Sequence, residues 1–205
     1  SQLLFLLGTA YIQIGNTNLG IEKLKKSIFL KPENLFSHSN LGNAFKDLKR
    51  YEDAITIYDK AIEINPNYAE IHNNKGNALK NLESYDEAIK SYDKAIKIKS
   101  DYAFAHNNKG NALKNLESYD EAIESYDKAI EINPNYFEAH HNKGNVLKDL
   151  KRFDEAIASY NKAIEIKPDY HFSYNNRGII FQHLNNIEKA LASYDKAIEI
   201  NPNYP

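Results

Sequence analysis

The sequence contains no cysteine and no methionine, and each absence limits what the chain can be. Without cysteine, the chain can form no disulfide, thiolate nucleophile or sulfur-rich zinc site. Methionine is missing even at residue 1, so we expect the sequence to be a fragment of a longer protein.

Long apolar runs and an excess of one charge are also missing. No stretch approaches the roughly 20 apolar residues of a membrane-spanning helix. The apolar segment 2–7 lacks the basic flank and cleavage site of a signal peptide. We therefore expect a cytoplasmic location. The formal net charge of −2 is typical neither of a nucleic-acid-binding protein nor of a membrane-surface protein, so we expect no nucleic acid and no membrane as partners.

Against these absences, the sequence repeats itself every 34 residues. Segments 72–96 and 106–130 are identical except for Lys90 against Glu124, and the prolines keep the same spacing, with Ser100 in place of the missing one. A fixed period of this length is the signature of a repeat architecture. The glycines that mark it are Gly8, Gly42, Gly76, Gly110, Gly144 and Gly178.

Each repeat predicts two amphipathic helices. In the third repeat, Ile71 and Leu79 belong to an apolar stripe at helical spacing. After a short break at 83–84, a second stripe runs from Tyr85 to Ile96. In most repeats an Asn-Pro-Asn or Lys-Pro-Asp turn then ends the helix, because proline cannot continue the backbone ladder.

The glycine column indicates close packing inside each hairpin. Glycine within a helix costs about 1 kcal/mol relative to alanine, and the chain accepts this cost in every repeat. We expect the two helices to approach closely there, with alanines such as Ala54 and Ala88 as small partners. Tyrosines such as Tyr58 and Tyr92 would fill the space between them.

With these glycine, alanine, aromatic and proline columns, the sequence resembles the tetratricopeptide repeat family over its whole length. The first repeat matches least well, with Gly20, Leu24 and Ser27 where later repeats have Ala, Tyr and Ala. The resemblance implies an all-α fold, a right-handed superhelical solenoid of six antiparallel helix hairpins whose first helices line a concave groove. Because such repeats bury a core by stacking, we expect one domain over residues 1–205. Its repeats are 1–34, 35–68, 69–102, 103–136, 137–170 and 171–204.

The groove side of the first helices carries columns of asparagine and lysine. An asparagine side chain holds one acceptor and two donors, so stacked asparagines could grip the main chain of an extended peptide. The columns resemble the asparagine ladder of O-linked N-acetylglucosamine transferase repeats. Alternatively, the asparagines support neighbouring turns. The lysines would favour an acidic ligand or form a solvated face. The columns are Asn40, Asn74, Asn108, Asn142 and Asn176; Asn43, Asn77, Asn111 and Asn145; and Lys46, Lys80, Lys114 and Lys148.

A further column at the starts of first helices holds Phe36, Phe104 and Phe172. These side chains could be apolar anchors for a ligand on the groove rim, or they could pack against the preceding hairpin.

One well-known binding mode of the family is not expected. Chaperone-binding members hold a C-terminal carboxylate with two asparagines together with lysine and arginine side chains. Asn43 and Asn74 fit the asparagine part of that pattern, but Ser39, Phe104 and Asn108 occupy the basic places.

The sequence predicts no enzyme, no cofactor and no metal. It contains no Gly-rich phosphate loop and no nucleophile elbow. Equivalent residues in adjacent hairpins lie on the order of 10 Å apart, too far to share one metal ion, so we interpret the recurring histidines as packing residues. They are His38, His72, His106 and His140.

These observations favour a non-catalytic scaffold that binds a protein or peptide ligand in the concave groove. Two alternatives stay open: the substrate-recognition arm of a larger, glycosyltransferase-like enzyme, and a self-assembling structural module. The self-assembling module is suggested by apolar residues in the first and last repeats. Leu191 and Ile198 have no following hairpin to cover them, and Phe5 and Ile12 lie at positions that are polar in later repeats. We expect either further repeats or end-to-end stacking there.

Overall fold

All regular structure is helical in the computed structural model, which describes residues 1–203. Twelve helices are present in this range and no strand, so the prediction of an all-α chain of six helix hairpins is confirmed. The helices form two compact units of three hairpins each, one comprising Ser1–Asp101 and the other beginning at Tyr102. The single six-repeat domain remains a prediction.

In the first unit, the first and second helices of each hairpin pack against each other, and each second helix also contacts the first helix of the following hairpin. The helices are α1 (Gln2–Gln13), α2 (Thr17–Leu30), α3 (Leu35–Asp47), α4 (Tyr51–Ile64), α5 (Ala69–Asn81) and α6 (Tyr85–Ile98).

The second unit repeats the same arrangement of hairpins. Its helices are α7 (Ala103–Asn115), α8 (Tyr119–Ile132), α9 (Phe137–Asp149), α10 (Phe153–Ile166), α11 (His171–His183) and α12 (Ile187–Ile200). Every helix in residues 1–203 is too short or too polar to traverse a lipid bilayer.

The turn inside each hairpin is a Schellman motif, in which the last carbonyls of the first helix accept two backbone N–H groups. In the second hairpin, the Arg50 amide donates to the Phe45 carbonyl at 2.8 Å and the Lys49 amide to the Lys46 carbonyl at 2.9 Å. Lys49 has a φ of +59°. The break predicted at 83–84 is the same motif, with Glu83 in the left-handed conformation.

The turn between hairpins uses an extended residue before the proline. Asn65 has φ −141° and ψ 95°, which suits a residue that precedes proline. Lys99 adopts nearly the same backbone, φ −135° and ψ 94°, although Ser100 follows it. The turn geometry therefore holds without the proline.

From Gly42 to Gly178 the glycine column packs against tyrosine rings, whereas Gly8 packs against Leu24. A Cβ atom added to Gly42 would lie 2.5 Å from Cε1 of Tyr58, and one added to Gly144 would lie 2.7 Å from Cε1 of Tyr160. Both tyrosines are fully buried. The close approach expected from the sequence is therefore between the backbone of the first helix and the aromatic ring of the second.

Candidate functional site

The first helices of neighbouring hairpins contact one another inside each unit. We call the surface formed by α1, α3 and α5 the A-helix face of the first unit, and that formed by α7, α9 and α11 the A-helix face of the second. The asparagines and lysines of the predicted columns are all half-buried.

In one asparagine column, each side-chain oxygen holds a tyrosine hydroxyl of the same hairpin. Burial raises the pKa of these tyrosines above the ordinary value, so the hydroxyls stay protonated and donate. The donor–acceptor pairs are Tyr58 Oη to Asn43 Oδ1 at 2.7 Å, Tyr92 to Asn77 at 2.9 Å, Tyr126 to Asn111 at 2.9 Å and Tyr160 to Asn145 at 2.8 Å.

The first and last repeats depart from this asparagine–tyrosine pairing in different ways. In the first repeat, Leu24 replaces the tyrosine and Thr9 replaces the asparagine. In the last repeat, Ile179 replaces the asparagine, and the Tyr194 hydroxyl donates instead to Gln182 Oε1 at 2.9 Å. The asparagine is present where the buried hydroxyl needs an acceptor.

The other asparagine column uses its amide nitrogen to join successive first helices. Its Nδ2 atoms donate to the preceding hairpin, which leaves lone pairs on the Oδ1 atoms. These bonds run from Asn40 to Thr9 Oγ1 at 2.9 Å, from Asn74 to Asn43 Oδ1 at 3.1 Å, from Asn142 to Asn107 Oδ1 at 3.0 Å and from Asn176 to Asn145 Oδ1 at 2.8 Å.

The two columns therefore differ in the hydrogen-bonding group that remains for a ligand. Asn43 accepts from both Tyr58 and Asn74, so its oxygen is occupied and its Nδ2 group remains a donor. Asn74 donates through its Nδ2 group, and its Oδ1 atom accepts from Asn73 Nδ2 at 3.5 Å, which leaves one lone pair on that oxygen. A donor and an acceptor thus lie side by side on the A-helix face, held in place by bonds to the core.

The lysine column is only loosely neutralised. Lys46 Nζ lies 3.6 Å from Asp47, while Lys114 and Lys148 lie 4.0 and 3.9 Å from Asp149. These distances exceed those of good charge-assisted hydrogen bonds.

Lys80 differs from the other lysines because it makes no ion pair with any residue in the range 1–203. Burial lowers its pKa, since the charged ammonium group loses water without gaining a partner.

The phenylalanine column is exposed and takes part in aromatic contacts. Phe36 and Phe104 each have a relative exposure of 57 % and Phe172 of 40 %. The Phe36 ring lies 6.4 Å from both Phe5 and Tyr68. Further contacts join Phe104 to Tyr102 and Tyr136 and Phe172 to Tyr170.

A small pocket opens on the A-helix face of the first unit, between α1 and α3. It has a volume of about 170 Å³. Asn40 and Asn43 line it together with Ile12 and Ala44, and Asp47 lies at its edge. Ile12 occupies the place that lysine takes in the next four repeats, so the lysine column gives way here to an apolar wall.

His141 is the one histidine buried on the A-helix face of the second unit among the described residues, where Asn107 and Asn175 occupy the equivalent positions. Its Nδ1 lies 2.9 Å from Ser173 Oγ, and its ring packs 5.0 Å from Tyr170. Burial, with the charges of Lys114 and Lys148, lowers its pKa to about 4.

The recurring histidines act in packing and turns. His72 Nε2 lies 2.9 Å from the Pro66 carbonyl oxygen, and His140 Nε2 lies 3.0 Å from that of Pro134. Within residues 1–203, no group of three or more histidine, aspartate or glutamate side chains is arranged to hold a metal ion.

The sequence interpretation missed the tyrosines as part of the site. A readable signal exists, because asparagine and tyrosine recur 15 residues apart in four repeats. It also missed that Lys75 and Lys143 form ion pairs with Asp59 and Asp127 of the preceding second helix, at 2.5 and 2.6 Å.

Family models match most of the chain. A model described as TPR repeat matches residues 42–83 and 76–117, and one described as Tetratricopeptide repeat matches 103–136, 137–170 and 171–204. No curated protein matches the sequence.

Several solved structures have the same fold. YrrB, a TPR protein with an unusual peptide-binding site, is 29% identical, with a TM-score of 0.68 over 88% of this chain and 93% of its own. MamA is 25% identical, with a TM-score of 0.72 over 79% and 95%. PilW, a widely conserved type IV pilus biogenesis factor, is 19% identical, with a TM-score of 0.88 over 100% and 94%, and shows the fold alone.

Proposed function

Because the chain belongs to the tetratricopeptide repeat family, whose members are generally protein-interaction modules, we propose that it is a non-catalytic scaffold that binds an extended peptide segment of a partner protein on its A-helix face. The observation that carries the proposal is the paired arrangement of asparagine amides. Asn43 offers Nδ2 donors beside the Oδ1 atom of Asn74, which accepts one long bond from Asn73 Nδ2 at 3.5 Å and has a second lone pair.

This pairing fits the main chain of a peptide. Each residue of an extended ligand has one N–H donor and one C=O acceptor. The carbonyl oxygen would accept from the Nδ2 group of Asn43 or Asn77, and the N–H would donate to the oxygen of Asn74. Since the tyrosines already fix the asparagines, little side-chain entropy is lost on binding.

The charges and the pocket suggest which side chains the ligand has. Lys80 is desolvated and has no ion pair in the described residues. A ligand carboxylate beside it would therefore replace the water that burial removes from its ammonium group. At the pocket beside Ile12, an apolar side chain would fit. We propose a ligand with acidic residues and at least one apolar anchor, and the exposed Phe36 and Phe104 are further contact points on the two units.

The relative YrrB supports the peptide class of ligand. It is a tetratricopeptide protein with a peptide-binding site, and it aligns over most of this chain at 29% identity.

An aspartate substitution separates binding from folding. Asn43→Asp together with Asn77→Asp keeps an oxygen acceptor for each tyrosine hydroxyl but removes the Nδ2 donors. For peptides selected from a random displayed library with the wild-type chain, we expect about tenfold weaker binding, the equivalent of one or two lost hydrogen bonds. Circular dichroism and thermal unfolding should show the helices intact.

The matched control is Asn18→Asp, which adds a charge where the later repeats have Glu52, Asp86, Asp120 and Asp154. Each affinity is measured at low and high salt, because salt screens charge repulsion between the new aspartates and an acidic ligand. If the doubly substituted protein binds with unchanged affinity at high salt, the Nδ2 groups of Asn43 and Asn77 do not contribute to binding.

A second candidate function is end-to-end self-assembly, which the apolar surface of α12 supports. Leu191 and Ile198 have relative exposures of 57 % and 54 %. Ile157 and Ile164 occupy the same positions of α10, where a hairpin follows, and they are half-buried rather than exposed. Light scattering over a wide concentration range tests this candidate: stacking predicts a mass that rises with concentration, which Leu191→Glu abolishes, whereas a constant monomer mass rules it out.

A further inference from the structure

A pocket of about 640 Å³ lies on the first unit, away from the residues of the A-helix face. The end of α4, the following turn, the start of α5 and the last turns of α6 form it. Ile62 and Ile98 supply apolar walls, His72 lies between them, and Lys94 and Lys97 bring positive charge. No described carboxylate lines the pocket.

The charge of this pocket departs from the pattern of the last three repeats. In α8 and α10, the lysine at this place binds the glutamate three residues later: Lys128 to Glu131 at 2.7 Å and Lys162 to Glu165 at 2.8 Å. The same pair recurs in α12 between Lys196 and Glu199.

In α6, Lys97 takes the place of that glutamate. Across the described residues, neither Lys94 nor Lys97 forms an ion pair or a side-chain hydrogen bond. Two cations one helical turn apart repel each other slightly, so the substitution gains nothing from the neighbouring lysine. The helix dipole stabilises a positive charge in the last turn and so favours Lys97. The dipole does not explain why Lys94 also has no ion pair.

The imidazole ring of His72 adds a polar side chain to the pocket lining. Its Nε2 atom is held by the Pro66 carbonyl oxygen at 2.9 Å, which fixes the ring orientation. Ile62 is half-buried and Ile98 has a relative exposure of 36 %. The pocket thus combines free positive charge at its rim with apolar surface inside.

We propose that this pocket binds an acidic segment of a partner protein, with a carboxylate between Lys94 and Lys97 and an adjacent apolar side chain against Ile62 and Ile98. Charge complementarity selects this occupant, because two unpaired lysines without a lining carboxylate favour an anion. The apolar walls favour a peptide side chain over a bare ion. The site includes none of the asparagine, lysine and phenylalanine columns of the A-helix face, so the chain would contact partners on two separate surfaces.

The experiment uses the whole chain and a defined probe, a short acetylated peptide that alternates glutamate and leucine. Its binding is followed by the ¹H–¹⁵N NMR shifts of each backbone amide. We expect saturable shifts at Lys94, Lys97 and Ile98, and about tenfold weaker binding at these amides in Lys97→Glu, because attraction to the ligand becomes repulsion. The variant should fold normally, since Glu63, Glu131, Glu165 and Glu199 occupy the same place in other repeats.

The matched variant is Glu165→Lys, which copies the α6 arrangement into α10. We expect it to create a second set of saturable shifts at Lys162 and Ile166, while the first site keeps its affinity. A peptide that alternates lysine and leucine should shift neither set.

Four results of the ligand titrations would overturn the proposal. They are the absence of saturable shifts in α6, shifts confined to the A-helix face, equal binding by wild type and Lys97→Glu, and equally tight saturation by inorganic sulfate, which would indicate a bare anion site. Shifts in α6 that change with protein concentration without peptide would instead assign the pocket to a second copy of the chain and would also overturn it.

Discussion

At the scale of single residues, the asparagine–tyrosine bond connects the candidate binding face with the core. Tyr92 is fully buried, and its hydroxyl reaches Asn77 Oδ1 at 2.9 Å. A buried hydroxyl without an acceptor would cost on the order of 1–3 kcal/mol. The same asparagine therefore serves folding through its oxygen and is available to a ligand through its nitrogen.

His141 makes stability depend on pH. Its pKa is about 4 in the folded protein because burial disfavours the imidazolium, against about 6.5 in an unfolded chain. The unfolded state therefore binds more protons between these values, and the folded state loses stability as pH falls from about 6.5 to about 4. We expect His141→Asn to remove about 2–3 kcal/mol of this loss, as measured by urea unfolding at pH 7 and pH 4.

The substitution is conservative here, because Asn73, Asn107 and Asn175 occupy the equivalent positions of other repeats. Carboxylates and the remaining histidines titrate in both proteins, so only the difference between the two pH dependences is attributed to His141. Identical pH dependences would show that the imidazole is readily protonated in the folded state.

The sequence predicted the residue types on this face but not their bonds. The asparagine columns follow from the 34-residue period. Which atom of Asn43 stays available depends on Tyr58 and Asn74, which lie 15 and 31 residues further along the chain. Those contacts depend on how helices pack against each other, and helical periodicity contains no such information.

At the scale of elements, the turn inside each hairpin is fixed by backbone geometry. Only the first hairpin has glycine in the left-handed position, at Gly15 with φ +82°. Lys49, Glu83, Glu117 and Lys151 adopt φ +59° and Asn185 +57°, although L-residues other than glycine and asparagine disfavour this region. The Schellman hydrogen bonds impose the conformation in place of the residue's own preference.

Glycine at these positions should therefore stabilise the protein. We expect Glu83→Gly and Glu117→Gly to raise the free energy of unfolding by about 0.5–1 kcal/mol each, since relief of the left-handed strain exceeds the added entropy of the unfolded chain. Chemical denaturation measures the change. Gly15→Glu, which has open space around it, should lower the stability by a similar amount, and the opposite sign in either case would contradict this account of the turn.

Helix positions were more predictable than turn conformations. The apolar stripe around Ile71 and Tyr85 correctly placed α5 and α6, because helical spacing is written directly in the sequence. The left-handed residue at Glu83 was not predictable from its type, since glutamate has no preference for that conformation.

At the scale of the whole molecule, repetition explains both the fold and the places where it varies. Each unit repeats one hairpin three times, and the family models match from residue 42 to 204. The departures from the repeat are then informative: Ile12 in place of lysine, His141 in place of asparagine and Lys97 in place of glutamate. Ile12 and Lys97 change the surface and His141 changes a buried position, and each leaves the hairpin intact.

The fold class was readable from the sequence because a 34-residue period leaves few architectures. The pocket lined by Ile62 and Lys97 could not be predicted from the sequence, because it joins three helices whose facing residues belong to different repeats. The exposure of Phe36 was also open at the sequence level, where packing against the preceding hairpin was an equal alternative. The side chain does both, since it is 57 % exposed and contacts Phe5.

The most direct test of main-chain recognition replaces single backbone amides of a library-selected peptide with esters, which removes an N–H donor and weakens a carbonyl acceptor. Calorimetry then compares each analogue with the parent peptide and with side-chain alanine variants. We expect at least one ester to bind the wild-type chain about tenfold more weakly, with little further loss in the protein carrying Asn43→Asp and Asn77→Asp. Esters that all bind as tightly as the parent, while alanine variants lose affinity, would contradict the proposal.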